Sequence, residues 1–247
     1  MTLSGKTAIV TGASRGIGKA IAAAFVREGA NVALCGRKQE TCDAVAKEIG
    51  GRALPLAAHV GRAEDLARLV ETTRRELGPV DILVNNAATN VQQGPALEAD
   101  EAQFDKMVEV NLKSAFRLVK LVAPEMCARG AGSIINIASV AGIKPQYQSL
   151  FYSMTKAALI MMTRSWAFEF GPSNVRVNAI APGLIKTVLS EYFWKDETRV
   201  EQFLSHQPIR RIAQPEEIAE LAVLLAGDRC PYMTGEVLVA DGGFLLA

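Results

Sequence analysis

Short apolar runs separated by longer amphipathic stretches decide the class of fold before any motif is considered. "TAIV" (7–10), "NVAL" (31–34), "ALPLAA" (53–58), "DILV" (81–84), "SIINIA" (133–138), "VRVNAI" (175–180) and "EVLVA" (236–240) read as seven strands. Helical periodicity occupies 16–28, 38–49, 63–77, 100–129, 152–170 and 215–226. Strand, helix, strand, repeated, means right-handed crossovers and therefore an α/β fold: a doubly wound parallel sheet with helices on both faces. A chain that is 49% hydrophobic but only 6% aromatic suits strands covered on both sides. No linker, repeat or low-complexity tract interrupts the rhythm, so residues 1–247 are expected to form one domain that both binds cofactor and carries out catalysis. The exception is the connection at 184–214, which is long for a compact domain and holds Tyr192, Phe193 and Trp194 in a row. It reads as a lid over an apolar substrate, or as a surface helix packing its aromatics inward.

Charge and cysteine content exclude several classes of function. With 27 basic and 26 acidic residues interspersed, the chain has no electrostatic footprint for nucleic acid or an anionic membrane, and a small-molecule ligand is expected. Cys35, Cys42, Cys127 and Cys230 are far apart and read as thiols in a reducing compartment. His59 and His206 lack metal-ligand spacing, so no metal is expected. The opening "MTLSGKTAIVTG" carries no apolar leader, no apolar run reaches membrane-spanning length, and "GGFLLA" is no peroxisomal address; a cytoplasmic protein is expected.

"TGASRGIG" joins the first strand to the first helix. Gly12, Gly16 and Gly18 permit a sharp turn and close approach of backbone to a pyrophosphate, while the helix N-terminus offers free N–H groups and partial positive charge. Ser14, Arg15 and Ile17 belong to the same turn. At the end of the second strand a carboxylate would bind the ribose 2′-hydroxyl of NAD; "LCGRK" has Gly36 there, followed by Arg37 and Lys38. With Arg15 nearby, these cations favour the 2′-phosphate of NADP(H), with NAD(H) possible; solvated helix-start cations are the alternative.

"SLFYSMTK" sets Tyr152 and Lys156 one helical turn apart, on one face. A phenol holds its proton to a pKa near 10. An ammonium about 4 Å away favours the phenolate by at most about 4 kcal/mol, which is expected to bring Tyr152 into a useful range for acid and base work. Ser139 follows "INIA" at the C-terminal edge of the fifth strand, the edge where open α/β sheets bind ligands, and Asn85, Asn86 and Asn111 come earlier.

Taken in order, "TGASRGIG", "NNAA", Asn111, Ser139, "YSMTK", "APGLIKT" and the closing "DGG" resemble the short-chain dehydrogenase/reductase family over essentially the whole chain, in its single-domain branch of roughly this length. The resemblance implies a Rossmann-type fold, a nicotinamide cofactor and a catalytic set of Asn111, Ser139, Tyr152 and Lys156. It further implies that Lys156 holds the nicotinamide ribose, that Ser139 binds the substrate oxygen and that Asn111 positions a water relaying protons to Lys156. Asn86, Ala87 and Ala88 would line the path from adenosine to nicotinamide. Ile185 and Thr187, after Pro182 and Gly183, would contact the carboxamide. Two positions depart from the family: Ala88 stands where glycine is usual, tolerable if its φ is negative, and His59-Val60 replaces a common aspartate near adenine. His59-Val60-Gly61 with Arg37-Lys38 looks like the NADP-dependent carbonyl and retinol reductase subgroup.

The expected activity is that of an oxidoreductase acting on CH–OH donors, moving a hydride between NADP(H) and a carbonyl or secondary alcohol, as a ketone or 3-oxoacyl-thioester reductase does. An NAD-dependent alcohol dehydrogenase of the same family and a catalytically silent cofactor-sensing regulator are the alternatives; retention of all four catalytic positions argues against the second. The helix "KAALIMMTRSWAFEF" is apolar on more than one face. The family commonly buries this helix and the one at 100–129 in a two-fold interface, which implies a homotetramer or homodimer.

Overall fold

The computed structural model describes residues 1–246, and the expected alternation is present in it. The strands are β1 (Thr7–Thr11), β2 (Asn31–Gly36), β3 (Ala53–Ala57), β4 (Ile82–Asn85), β5 (Gly132–Ile137), β6 (Val175–Pro182) and β7 (Val237–Ala240). They form one parallel sheet in the order β3-β2-β1-β4-β5-β6-β7, a Rossmann-type doubly wound arrangement. Winding reverses between β1 and β4, and a crevice opens there beyond the strands' C-terminal ends.

Alternate strand residues feed two cores. Ala8, Val10, Val32, Leu34, Val84 and Ile135 face one layer, made by α1 (Gly16–Arg27), α2 (Gln39–Ile49) and α9 (Pro215–Ala226). Ile9, Ala33, Leu83, Ile134 and Val177 face the other, where α3 (Ala63–Leu77) and α5 (Ser114–Arg129) pack. Also on that face, α6 (Leu150–Phe170) contributes Ala167, with Trp166 and Phe170 packed against the same core. No helix among the described residues is long and apolar enough to cross a membrane.

One expectation needs correction. The helical stretch at 100–129 is not one regular helix: α4 (Glu101–Val108), opened by a reciprocal Asp100 and Gln103 capping box, passes through a π-helical turn at Glu109–Lys113 before α5 begins. A widened turn removes backbone groups from the i to i−4 ladder, and here it centres on the buried Asn111. The long connection at 184–214 contains regular structure. It folds into α7 (Glu191–Trp194) and α8 (Glu197–Ser205), the latter capped by Asp196, whose side chain accepts from the Arg199 N–H. Tyr192, Phe193 and Trp194 thus sit on a helix, but none of the three is buried in the core.

On the outer surface, α5 exposes Phe116, and α6 exposes Met161 and Phe168, the last 89% accessible.

Candidate active site

Thr11, the last residue of β1, organises the start of the site. Its hydroxyl donates to the Val84 carbonyl and accepts the N–H groups of Asn86 and Ala87, at 3.0 and 3.1 Å. In return the Asn86 amide donates to the carbonyls of Thr11 and Gly12, at 2.8 and 3.2 Å. The end of β4 is thereby clamped against the glycine turn. The glycines are needed for two reasons. Gly12 has φ +65°, and a Cβ on Gly18 would lie 2.4 Å from both the Gly12 carbonyl oxygen and Asn86 Nδ2. No side chain caps the start of α1, where Arg15 is extended at φ −169°. This cradle of small residues and uncapped N–H groups fits a pyrophosphate. At Ala88 φ is not positive, so its methyl is accommodated.

The far side of the turn carries the cations expected from the sequence. Arg15, Arg37 and Lys38 are exposed, and none of them joins an ion pair among the described residues. Ser14 lies against Gly36. His59 is tied down locally: its backbone N–H donates to Asp65 at 2.8 Å, and its Nδ1 accepts from Gly61 N at 3.1 Å. That second bond leaves the ring proton on Nε2, the nitrogen still free to meet an adenine edge. Val60 is buried in the core against α3 and α5.

Beyond the C-terminal edge of the sheet a cavity of about 700 Å³ opens, within the range of small-molecule sites. Ile17, Asn86, Ala88, Ser139, Tyr152, Lys156, Pro182, Gly183, Ile185 and Thr187 all line it. Gly12, Ser14, Arg15, Gly16, Gly18, Arg37, Lys38, His59, Val60, Ala87 and Asn111 do not. Most of these belong to the adjoining turn and the ends of β2 and β3.

Ser139 and Tyr152 both line this cavity, and the serine side chain is near enough to act on the phenol. Ser139 Oγ also accepts the Ala141 N–H at 3.1 Å, which fixes the serine at the head of a short 3₁₀ turn. Lys156 Nζ donates to the Ile137 carbonyl at 2.7 Å, at the very end of β5, and stands 5.6 Å from the centre of the Tyr152 ring.

The pKa expected for Tyr152 is overturned. Burial pushes the phenol up to about 12, and the neighbouring Ser139 side chain, which pulls the other way, is the smaller influence. The ammonium is turned toward the Ile137 carbonyl and does not offset that penalty. Burial likewise brings Lys156 down to about 8. Tyr152 as a whole is only half-buried, so the penalty reflects protein atoms crowding its hydroxyl and not a sealed core. At neutral pH the pair is a protonated phenol beside a largely protonated amine.

Asn111 lies behind this wall. Its Oδ1 accepts Thr89 N–H at 2.8 Å, and its Nδ2 donates to the Thr89 carbonyl at 2.9 Å and to Thr155 Oγ1 at 3.1 Å. The residue before Lys156 is thus linked to the loop after β4. A second buried chain runs from Asn85 to Asn136 to Thr163, with both side-chain contacts at 2.8 Å. Thr11, Thr89, Asn136 and Thr163 were not singled out from the sequence. Asn136 interrupts the apolar run "SIINIA", and a polar residue inside a doubly covered strand was the available signal.

The other end of the cavity is walled by Leu184, Leu189, Tyr192, Phe193, Phe203 and Phe244, and by the loop at 144–149. Phe203 and Phe244 stack with centroids 4.5 Å apart. Trp194 Nε1 donates to the Thr187 carbonyl at 2.7 Å, tying α7 to the segment beside the glycine turn. Asn90 also lines the cavity, and its Oδ1 is a buried acceptor without a partner among the described residues. No group of potential metal ligands occurs among the described residues.

The family described as Enoyl-(Acyl carrier protein) reductase matches residues 12–245. Dehydrogenase/reductase SDR family member 4 from Bos taurus is 40% identical over 246 residues, covering 98% of this chain and 88% of that protein. The 3-oxoacyl-(acyl-carrier-protein) reductase of Thermotoga maritima is 36% identical over 249 residues, covering the whole of both. A solved structure from Beutenbergia cavernae, described as a putative NAD(P)-dependent gluconate 5-dehydrogenase with bound NADP, superposes with a TM-score of 0.93 at 35% identity, covering 100% of this chain and 99% of that one. The agreement of sequence, sheet order and site along the full length places this chain in the short-chain dehydrogenase/reductase family.

Proposed function

We propose that the protein is an NADP(H)-dependent carbonyl reductase or secondary-alcohol dehydrogenase, working as a single domain, with Tyr152 as the proton donor to the substrate oxygen. The observation that carries this reading is that Tyr152, Ser139 and Lys156 line one cavity, which adjoins the glycine turn at Ile17. The nicotinamide supplies a hydride when bound. Tyr152, held as a phenol by its surroundings, gives up its proton as negative charge develops on the substrate oxygen. Ser139 shares that proton position and donates to the same oxygen, so the charge forms against two fixed donors. Lys156, anchored to the Ile137 carbonyl, has two N–H bonds left for the nicotinamide ribose.

Asn111 holds the Thr89 loop and Thr155 in place. The π turn around it would leave a backbone carbonyl for a water leading to Lys156. Arg15, Arg37 and Lys38, with no carboxylate at position 36, support selection of the 2′-phosphate. His59 and Val60 would border the adenine, and Ile185 and Thr187 the carboxamide. The aromatic wall around Phe193, Phe203 and Phe244 supports a substrate with an apolar body, such as a ketone or a 3-oxoacyl thioester.

The apolar outer faces of α5 and α6 support a homodimer or homotetramer, and the four free cysteines suit the cytoplasm. Oxidation of NADPH and of NADH followed against a panel of ketones and oxoacyl thioesters tests the assignment. Turnover with NADPH in preference to NADH is expected. Cofactor binding without turnover of any carbonyl would instead favour a cofactor sensor.

A further inference from the structure

Position 36 closes β2, and its backbone places no demand for glycine: Gly36 is not among the residues with positive φ. What excludes a side chain is its surroundings. A Cβ built there would lie 2.8 Å from Cys42 Sγ, 3.0 Å from Ser14 Cβ and 3.3 Å from Ser14 Oγ. The first distance is below any ordinary carbon to sulfur contact, whereas the others need only small adjustments. Cys42 cannot easily retreat. It is fully buried near the start of α2, and its Sγ contacts the Leu56 carbonyl at 3.8 Å. Burial also raises its pKa, so the group remains a neutral thiol and adds no negative charge beside a phosphate.

We propose that Cys42 is a packing constraint on position 36: its sulfur fills the space that a side chain there would need, and so keeps that position free of the carboxylate that would select NAD. This inference rests on the NADP reading given above. Cys42 acts through Gly36, as a positioning residue, and Arg15, Arg37 and Lys38 supply the attraction. It follows that cofactor preference is locked by a pair of positions. Gly36→Asp alone forces the new Cβ into Cys42, and only removal of the sulfur makes room for the carboxylate.

The test compares the wild-type protein with Gly36→Asp, Cys42→Ala and the double variant. Each is melted without cofactor and titrated separately with NADP⁺ and NAD⁺. Gly36→Asp alone should melt about 3–10 °C below wild type, as expected for an overpacked site. In the double variant the melting temperature should return to within about 2 °C of Cys42→Ala. Its ratio of NAD⁺ to NADP⁺ affinity should rise at least about 100-fold over wild type, the scale of gaining a carboxylate bond and losing a phosphate site. Cys42→Ala alone should keep the NADP⁺ preference.

The proposal is overturned if Gly36→Asp melts like wild type and switches as fully as the double variant. It is equally overturned if removing the sulfur restores neither stability nor binding. Wild-type preference for NAD⁺ would instead overturn the cofactor reading itself, and with it the role given to Cys42, even if the melting temperatures of the two positions remained coupled.

Discussion

Asn111 grips Thr89 by both of its backbone polar groups, accepting its N–H at 2.8 Å and donating to its carbonyl at 2.9 Å. Because the same amide reaches Thr155 Oγ1, one side chain sets the spacing between the loop after β4 and the helix that carries Tyr152 and Lys156. Asn111→Ala should therefore lower the melting temperature by about 5–10 °C, from the loss of hydrogen bonds to partly buried groups. It should also speed amide exchange at Thr89. Unchanged protection at Thr89 would show that the loop is held by other contacts.

The titration of Lys156 gives a signed pH dependence. Its pKa is depressed from 10.5 to about 8 by burial. Between those values the unfolded chain binds a proton that the folded chain lacks, so this group makes stability rise with pH across that window. Tyr152 acts oppositely and higher: its pKa is raised from 10 to about 12, so its stabilising contribution is full below pH 10 and is lost as pH climbs through 12. Lys156→Met should abolish the rise seen by urea unfolding between pH 8 and 10. For catalysis, kcat/KM for carbonyl reduction should fall as pH rises through about 8, where the free enzyme loses the ammonium. A profile flat to pH 10 would contradict the role given to Lys156.

Gly18→Ala is the sharpest probe of the phosphate cradle, because its Cβ would lie 2.4 Å from a backbone oxygen and from Asn86 Nδ2. The clash with backbone has no flexible partner to yield. A loss of at least about 1–3 kcal/mol in stability and a drop of at least about 100-fold in NADP⁺ affinity are expected, read by melting and by titration. Wild-type affinity would place the pyrophosphate elsewhere.

Phe168, 89% exposed on α6, tests the assembly. Phe168→Glu should shift light-scattering mass toward the monomer while leaving the far-ultraviolet spectrum unchanged. If the wild-type protein is already monomeric in dilute solution, the outer faces of α5 and α6 are not an interface.

The strands were legible in the sequence to within two residues at either end, because β-branched runs covered on both faces have few alternative readings. The π turn was not legible, since 100–129 is continuously helical in pattern and the widening depends on Asn111 finding Thr89 and Thr155 across the fold. Within 184–214 a helix bearing Tyr192, Phe193 and Trp194 was one of two readings, whereas α8 was not legible; both helices are short and rely on Asp196 and on the Trp194 bond to Thr187. The four candidate catalytic positions stood out by residue type and order, yet the protonation of Tyr152 did not. Spacing along a helix reports that Lys156 is near, whereas burial of the hydroxyl and the pull of the Ile137 carbonyl on the ammonium arise only in three dimensions.

The central claim is that the Tyr152 hydroxyl delivers the proton. Single-turnover reduction of a ketone by Tyr152→Phe, with NADPH affinity measured on the same preparation, tests it most directly. The account predicts a rate lower by about 10²–10⁴-fold with cofactor affinity unchanged. A rate within about tenfold of wild type would contradict it.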